Sequence, residues 1–254
     1  MLFTLKTKSL CRNLLLIFSL SLFFSCQKDL SLEDGGTVVV TPPDLSTKIN
    51  SSVSGFVTDE NDAAVMGASV QFGSSSITTD KYGYFEAKNV QVVKEAAVVT
   101  VIKPGYFKGI KTYMAKEGKA AFFRIKLIPK TTVGNVNAAS GGTVTLANGL
   151  SIKLPSGSIV NAATNAIYTG TVNVAAYWIN PTAADLNQIM PGDLRGINTE
   201  GTLKLLQTFG MAAVELTGAS GELLQIANGQ KATLTLPIPS SLSASAPATI
   251  PLWY

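Results

Sequence analysis

Hydrophobic and polar residues alternate along much of this chain from Val53 onward, and this period of two limits the fold more than any other feature. The first alternating run is Val53-Ser-Gly-Phe56-Val57-Thr58, and Ala68-Ser-Val70-Gln-Phe72 follows after a polar turn. Because successive side chains of a β-strand point to opposite faces of a sheet, such alternation predicts strands with one buried face. The sequence is therefore predicted to be all-β.

Seven short strands are predicted in the first part of the chain, with turn residues between them. They cover residues 53–58, 68–72, 77–79, 84–87, 97–103, 108–113 and 121–127. Pro104-Gly105 lies between two of these strands and predicts a type II turn, because Pro fixes φ and Gly accepts a positive φ. Closely spaced strands without a convincing helix predict a small antiparallel β-sandwich.

Residues 51–128 resemble the carboxypeptidase regulatory-like domain, which has a transthyretin-like fold. The resemblance is carried by Val53-Ser-Gly55-Phe-Val57-Thr-Asp59, Gly67-Ala68-Ser-Val70 and Thr79-Asp80-Lys-Tyr-Gly83-Tyr-Phe85. Asp62 and Ala64 stand where the family usually has glycine and proline, so the first turn is expected to differ in geometry. The resemblance implies a spacer, a docking module or a sugar- or protein-binding module that seldom catalyses. Such domains also stand at the front of outer-membrane nutrient receptors.

The charge of the chain changes near residue 130, which indicates a domain boundary. Residues 81–130 contain eleven Lys or Arg and three acids, whereas residues 131–254 contain four and five. The predicted domains are therefore 51–130 and 131–254, two β-sandwich modules in series.

The second domain resembles two kinds of extracellular β domain. Its opening, Gly141-Gly142-Thr-Val144-Thr-Leu146 and then Leu150-Ser-Ile152-Lys-Leu154-Pro155-Ser-Gly157, is similar to a ZU5-type domain, and a long strand is predicted at 170–179. Later motifs resemble the ectodomain region shared by bacterial surface proteins, cartilage intermediate layer protein and the astroprincin family. These motifs are Met190-Pro-Gly-Asp193-Leu-Arg195, Thr208-Phe-Gly210-Met-Ala-Ala-Val214-Glu215-Leu216 and Pro247-Ala-Thr-Ile-Pro251-Leu-Trp253-Tyr254. That family continues past this point, so the domain is expected to be truncated at its C-terminus.

The start of the chain has the three-part order of a signal peptide. Basic residues precede an apolar run at 14–24, and this run of 11 residues is too short for a helix to cross a bilayer core of about 30 Å. Leu22-Phe-Phe-Ser-Cys26 resembles the lipobox of bacterial lipoproteins, which implies removal of residues 1–25 and a diacylglycerol on Cys26. Residues 26–50 are predicted to be a flexible, lipidated tether.

The residues after the cysteine indicate where the anchored protein is displayed. Gln27-Lys28-Asp29 looks like the surface-export signal of lipoproteins from Bacteroidetes-type bacteria, although the second acid expected beside Asp29 is Leu30. This predicts an outer-membrane lipoprotein exposed on the cell surface, with the periplasmic leaflet as the alternative.

Two counts exclude classes of function. Histidine is absent, which removes Ser-His-Asp and Cys-His nucleophile pairs, His-containing zinc sites and histidine general bases. Residues 1–25 hold three of the 20 Lys and Arg and none of the 16 acids, so the mature part is almost neutral and a nucleic-acid partner is not indicated. We predict no enzymatic activity, no cofactor and no metal, and attachment to a membrane through the lipid.

Tyr82, Tyr84 and Tyr106 are predicted ligand contacts, because flat rings near turns stack on sugars. The alternative is that aromatic cross-strand pairs only stabilise the sheet, with Tyr84 outward and Phe85 inward.

The polar cluster at 59–62, together with Asp80, favours turn stabilisation, and a calcium site is the alternative.

The remaining charged residues also have two interpretations. The cationic run at 81–130 is typical of protected sheet edges, with an anionic polysaccharide, lipid head groups or an acidic partner as the alternative. The carboxylates of the second domain have no spacing that selects a glycoside-hydrolase pair. They are Asp185, Asp193, Glu200, Glu215 and Glu222.

The sequence as a whole predicts a non-catalytic surface lipoprotein that acts as a binding or spacer module for a glycan or a protein. One alternative is the accessory N-terminal part of a longer enzyme or adhesin. Another is a component of an outer-membrane nutrient-uptake complex.

Overall fold

The computed structural model describes residues 43–250 and 252–253. The predicted signal peptide, Cys26 and most of the predicted tether lie outside the described residues. Within the described part, regular structure consists of seventeen strands and two four-residue helices, so the all-β prediction is confirmed. No helix in this part is long and apolar enough to cross a membrane.

Seven strands form the first pair of sheets. They are β1 (Lys48–Thr58), β2 (Ser69–Phe72), β3 (Ser75–Thr78), β4 (Tyr84–Val93), β5 (Ala97–Ile102), β6 (Gly109–Tyr113) and β7 (Ala120–Lys126). One sheet has the order β4-β1-β7 and the other has the order β3-β2-β5-β6. Each of the seven predicted strands is present, with ends that differ by a few residues.

A hydrophobic cluster fills the space between these two sheets. Along β1 buried and partly exposed residues alternate, as the period of two predicts. Burial of each large apolar side chain contributes about 1.5–3 kcal/mol, so this cluster is the main source of stability for the sandwich. Its fully buried members include Val53, Val57, Val70, Phe72, Phe85, Val99, Val101, Ile125 and Leu127.

Two features of this sandwich differ from the prediction. The first strand begins at Lys48 rather than Val53, because residues 48–51 pair with the end of β4. In addition, β1 pairs with β7 in parallel, so the sheet is not purely antiparallel. Strands β1 and β7 are the first and last of the sandwich, and no local turn joins them, so alternation alone carries no information on their relative direction.

The remaining strands form a second pair of sheets and a separate hairpin. They are β8 (Thr132–Asn137), β9 (Gly142–Thr145), β10 (Ser151–Leu154), β11 (Ile159–Asn161), β12 (Thr171–Ile179), β13 (Arg195–Ile197), β14 (Leu203–Leu205), β15 (Met211–Thr217), β16 (Leu223–Ile226) and β17 (Thr233–Thr235). The helices are α1 (Leu186–Ile189) and α2 (Ser240–Ser243). The sheets have the orders β11-β16-β15-β12-β8 and β17-β10-β9, and β13 pairs with β14.

The second hydrophobic cluster contains residues of both of these sheets. The chain passes from β10 in one sheet to β11 in the other at Pro155-Ser-Gly157, where Gly157 has a φ of 62°. Pro155-Ser-Gly157 ends the second segment that resembles a ZU5-type domain, and the positive φ explains the glycine. Buried members of the cluster include Leu150, Ile152, Leu154, Ile159, Val172, Val174 and Leu224.

Residues near the first cluster contact residues near the second, and both clusters belong to one compact unit of the chain. We call this set of contacts the seam, and both side chains and backbone groups take part in it. Its contacts include the ion pairs Lys126–Asp185 and Lys130–Glu215, each with an N–O distance of 2.9 Å, and a hydrogen bond of 3.0 Å from the Gly192 amide to the Ile110 carbonyl oxygen.

Candidate ligand-binding surface

Three aromatic rings lie together on the outer side of the β4-β1-β7 sheet. Phe56 on β1 is directly opposite Tyr84 on β4, and their ring centroids are 5.4 Å apart. Phe122 on β7 lies diagonally across from Phe56, at 6.1 Å and with an edge-on geometry. Arg124 is the residue of β7 paired with Phe56. We call Phe56, Tyr84, Phe122 and Arg124 the aromatic face.

Strand alternation explains why these side chains point away from the core. Phe56 stands between the buried residues Gly55 and Val57, and Tyr84 precedes Phe85, which is only 2% exposed. The predicted directions, with Tyr84 outward and Phe85 inward, are therefore confirmed. Phe122 is 55% exposed, so an aromatic ring of this face is open to solvent.

Charged groups border the rings and make the face amphipathic. The guanidinium carbon of Arg124 lies 5.8 Å from the centroid of the Phe56 ring, within the range of a cation–π contact. On β4, Glu86 and Lys88 follow Tyr84 at alternate positions and form an exposed ion pair of 3.0 Å. Such a surface offers apolar ring faces together with donors and acceptors at their edges.

Tyr82 and Tyr84 belong to one turn that Asp80 organises. The Asp80 carboxylate accepts hydrogen bonds from the Tyr82 and Tyr84 amides, at 2.8 and 2.9 Å. Tyr82 is 63% exposed, and the Lys81 ammonium lies 4.9 Å from the centroid of its ring. The amides of two of the three predicted tyrosines thus bond the same carboxylate, at the start of β4.

Tyr106 has a different environment from the other two tyrosines. Its amide donates to the Lys103 carbonyl oxygen at 3.1 Å across the predicted Pro104-Gly105 turn, where Gly105 has a φ of 85°. Its ring packs against the first hydrophobic cluster. Partial burial raises the pKa of Tyr106, and the nearby carboxylates of Glu60 and Asp59 raise it further. Tyr106 takes part in none of the ring and cation contacts described for the aromatic face.

The acidic first turn uses its carboxylates to hold the backbone. Asp59 accepts hydrogen bonds from the Asn61 and Ala63 amides, both at 2.9 Å, and Asp62 has a φ of 64°. The positive φ at Asp62 agrees with the glycine that the resembled family has there. Among the described residues, no group of three or more His, Cys, Asp or Glu side chains is placed to hold a metal ion.

Each carboxylate of the predicted second domain has a charged or hydrogen-bonding partner. Asp185 pairs with Lys126, Asp193 with Arg195 and Glu215 with Lys130. Glu200 hydrogen-bonds Asn198, and Glu222 accepts the Ser220 amide.

Sequence reasoning missed most of the aromatic face. Phe56, Phe122 and Arg124 were not candidates, because their proximity depends on which strands are neighbours and in what register. The alternation of Phe122 with Phe123 was the available signal, since one of two adjacent strand residues must point outward. Lys111 was also missed, because it lies in the cationic run but is only 4% exposed.

Comparisons with known proteins do not show which family the chain belongs to. No protein-family model matches it, and no curated protein matches it significantly. Among solved structures, the Bacillus anthracis TIE protein is 16% identical, with a TM-score of 0.28 over 51% of this chain and 27% of that chain. The matched part thus spans about a quarter of the TIE protein.

Two further solved structures come from Bacteroides species. A "putative membrane-associated protein of unknown function" from Bacteroides fragilis is 12% identical, with a TM-score of 0.27 over 72% of this chain and 84% of that chain. A "putative carbohydrate binding protein" from Bacteroides uniformis is 7% identical, with a TM-score of 0.25 over 74% of this chain and 100% of that chain. TM-scores this low do not establish a shared fold.

Proposed function

We propose that this protein is a non-catalytic, lipid-anchored outer-membrane protein that binds a glycan on the aromatic face. The observation that carries the proposal is the contiguous row of Tyr84, Phe56 and Phe122 on the outer side of one sheet. Phe122 is 55% exposed, so its ring is accessible to a ligand on this side of the sheet.

The chemistry of the face suits a sugar better than a purely apolar ligand. A pyranose ring has an apolar C–H side that packs on aromatic faces and hydroxyl groups around its edge. Arg124 supplies donors beside the Phe56 ring, and the Glu86–Lys88 pair supplies an acceptor and a donor on β4. An open sheet surface of this kind favours a chain of sugars that lies across the strands over a small molecule in a deep pocket.

The membrane location rests on the sequence. The lipobox-like Leu22-Phe-Phe-Ser-Cys26 would place two or three acyl chains on Cys26, which is enough for lasting attachment. The residues that follow resemble a surface-export signal, and a surface position would give the aromatic face access to glycans outside the cell.

The test is binding of the purified protein to an array of host and microbial glycans. We expect saturable binding that resists added salt, because ring stacking is screened less than ion pairing. The Phe122→Ala variant should then bind about five- to tenfold more weakly, the loss expected for one aromatic contact of about 1 kcal/mol. The matched control is Leu205→Ala, which removes an apolar side chain that is 86% exposed on β14.

Two results would contradict the proposal. One is the absence of any saturable glycan binding by a folded protein. The other is binding that Phe122→Ala and Leu205→Ala reduce equally, since the loss would then not depend on the aromatic face.

A spacer role is the second candidate, and the seam between the two clusters favours it. The ion pairs join Lys126 at the end of β7 to Asp185 and Lys130 to Glu215, and a backbone hydrogen bond joins Ile110 of β6 to Gly192. A rigid pair of modules would hold a partner at a fixed distance from the membrane. Deletion of residues 131–254 should then abolish function in cells while leaving any glycan binding by the aromatic face intact.

A further inference from the structure

Arg124 is an exposed cation of the aromatic face. None of the ion pairs among the described residues includes it. The next cation of β7, Lys126, differs because it pairs with Asp62 and Asp185, at 2.7 and 2.9 Å. The positive charge of Arg124 is thus available to a negatively charged group of a ligand.

Strand alternation places Arg124 beside Phe122 on the outer side of the sheet. One residue separates them along β7, so their Cα atoms lie about 7 Å apart and both side chains point outward. The intervening Phe123 packs against the first hydrophobic cluster, and Ile125 on the other side of Arg124 is 1% exposed. Pairing with β1 and β4 extends this pattern into two rows of outward side chains. These rows are Tyr84, Phe56 and Arg124, and Glu86, Ser54 and Phe122.

The contact between Arg124 and Phe56 leaves hydrogen-bond donors for a ligand. The guanidinium carbon lies 5.8 Å from the centroid of the Phe56 ring, so the ring attracts the positive charge and limits the directions in which the side chain extends. A guanidinium carries five N–H donors in a planar fork, and two of them match the two oxygens of a carboxylate. An arginine held in this way loses less conformational freedom on binding than an unrestrained side chain would.

Glu86 is the acid of these two rows, and it does not neutralise Arg124. It pairs with Lys88 at 3.0 Å. Strand β1 separates β4 from β7, so the backbones of Glu86 and Arg124 are about 10 Å apart or more. The Debye length at physiological ionic strength is about 8 Å, so this separation weakens any repulsion between Glu86 and an anionic group bound at Arg124.

A uronic acid fits the neighbouring positions of Phe122 and Arg124. Its carboxylate carbon is attached directly to the pyranose ring, so the apolar side of the ring and the charged group occupy adjacent places. From this arrangement we propose that the aromatic face binds a glycan that contains uronic acids: the pyranose ring packs on Phe122, and its carboxylate pairs with Arg124. This inference rests on the proposed glycan function and specifies the class of its ligand. A neutral sugar would leave the charge of Arg124 without a counterpart.

The experiment measures binding of the purified protein to three uronic acid polymers, polygalacturonate, alginate and hyaluronan. Each is compared with its carboxyl-reduced counterpart, in which a hydroxymethyl group replaces every carboxylate. We expect at least one acidic polymer to bind about tenfold more tightly than its reduced form, the gain expected for a charge-assisted pair of hydrogen bonds. At about 1 M ionic strength, where the Debye length is about 3 Å, this difference should shrink while binding to the rings persists.

Variants of the face separate the carboxylate contact from the ring contact. Arg124→Gln removes the charge from an exposed side chain and should bring the acidic polymer to within about twofold of its reduced form. Arg124→Lys keeps the charge but not the planar fork, so it should retain only part of the preference. Phe122→Ala should weaken both forms by a similar factor, because both lose the ring contact.

Lys153→Gln is the matched control for charge. It removes an exposed cation of β10, outside the aromatic face, and should keep the full preference for the acidic polymer. The thermal midpoint of each variant checks that it is folded. A preference that Arg124→Gln and Lys153→Gln lower equally would show attraction to net charge and refute the role of Arg124.

Failure of this inference differs from failure of the proposed function. Equal binding of acidic and reduced polymers, with the loss in Phe122→Ala, would retain the glycan site and refute the preference for uronic acids. Binding to neutral glycans of the array without binding to any of the three acidic polymers would refute it too. No saturable binding to any glycan would refute the proposed function itself.

Discussion

The ammonium group of Lys111 on β6 donates a hydrogen bond of 2.6 Å to the carbonyl oxygen of Met190, the residue after α1. A second bond of 2.8 Å reaches the carbonyl oxygen of Asn187. A lysine from a strand of the first sandwich thereby holds the end of a helix that follows β12. The positive charge also lies at the C-terminal end of the helix, where carbonyl groups lack partners.

Replacing Lys111 by methionine should destabilise the protein. The apolar stem keeps its volume, but two carbonyl oxygens lose their donor, and we expect a loss of about 1–3 kcal/mol in the free energy of unfolding. Urea denaturation of both proteins measures the difference. Lys108→Met is the control because Lys108 is exposed, and an equal effect of the two substitutions would contradict a special role for Lys111.

The stability of the protein should rise between about pH 8 and pH 10. Burial lowers the pKa of Lys111 to about 8 from an ordinary value of 10.5, so in this range the unfolded chain binds more protons than the folded one. The cost of burying the charge is therefore complete below pH 8 and disappears as the pH rises toward 10.5. Urea denaturation at several pH values tests this.

Other groups affect only the upper end of this pH range. The ion pairs raise the pKa of Lys126, and burial raises the pKa of Tyr106 and Tyr113, so their contributions to stability fall above about pH 10. The rise between pH 8 and pH 10 should be absent in Lys111→Met. A rise of the same size in that variant would assign it to another group.

Lys126 lies between two carboxylates that should differ in importance. Its ammonium is 2.7 Å from an oxygen of Asp62 and 2.9 Å from an oxygen of Asp185, but the Asp62 side chain is 70% exposed and that of Asp185 is 34% exposed. Solvent screens the more exposed pair more strongly. We expect Asp185→Asn to cost about 1 kcal/mol and Asp62→Asn less than about 0.5 kcal/mol. The opposite order in urea denaturation would refute this ranking.

Gly55 should tolerate no side chain, because β7 and the Phe85 ring lie too close to its Cα to leave room for a Cβ atom. A Cβ atom there would lie 2.1 Å from the Phe123 carbonyl oxygen and 2.9 Å from the Phe85 ring. Gly55→Ala should therefore lower the free energy of unfolding by more than about 3 kcal/mol. Gly105→Ala is the comparison, because its Cβ meets nothing within 4 Å and only the φ of 85° is unfavourable. That variant should lose about 1 kcal/mol.

Cys26 should carry the lipid. Cells grown with labelled palmitate should label the wild-type protein, and Cys26→Ala should remove the label and release the protein from the membrane fraction. Cys11→Ala is the control, since Cys11 lies in the segment predicted to be cleaved. An unlabelled wild type would exclude the anchor.

Much of the local structure follows from the sequence alone. The period of two in 53–58 predicts a strand, and Val53 and Val57 on one face of it are fully buried. Pro104-Gly105 predicts a turn, and Gly105 has the positive φ that such a turn requires. These features depend on short stretches of chain, in which the side-chain period and the allowed φ values are local properties.

Only the tertiary structure determines which strands are neighbours and which side chains contact each other. The parallel pairing of β1 with β7 places Phe122 and Arg124 beside Phe56, and no pattern within either strand contains that choice. In the sequence, Lys111 does not differ from the other lysines of the cationic run. In the structure, its ammonium group bonds the carbonyl oxygens of Asn187 and Met190. Alternation determines which face of a strand is apolar, whereas strand partners, their register and the burial of a charged side chain depend on contacts between residues distant in the sequence.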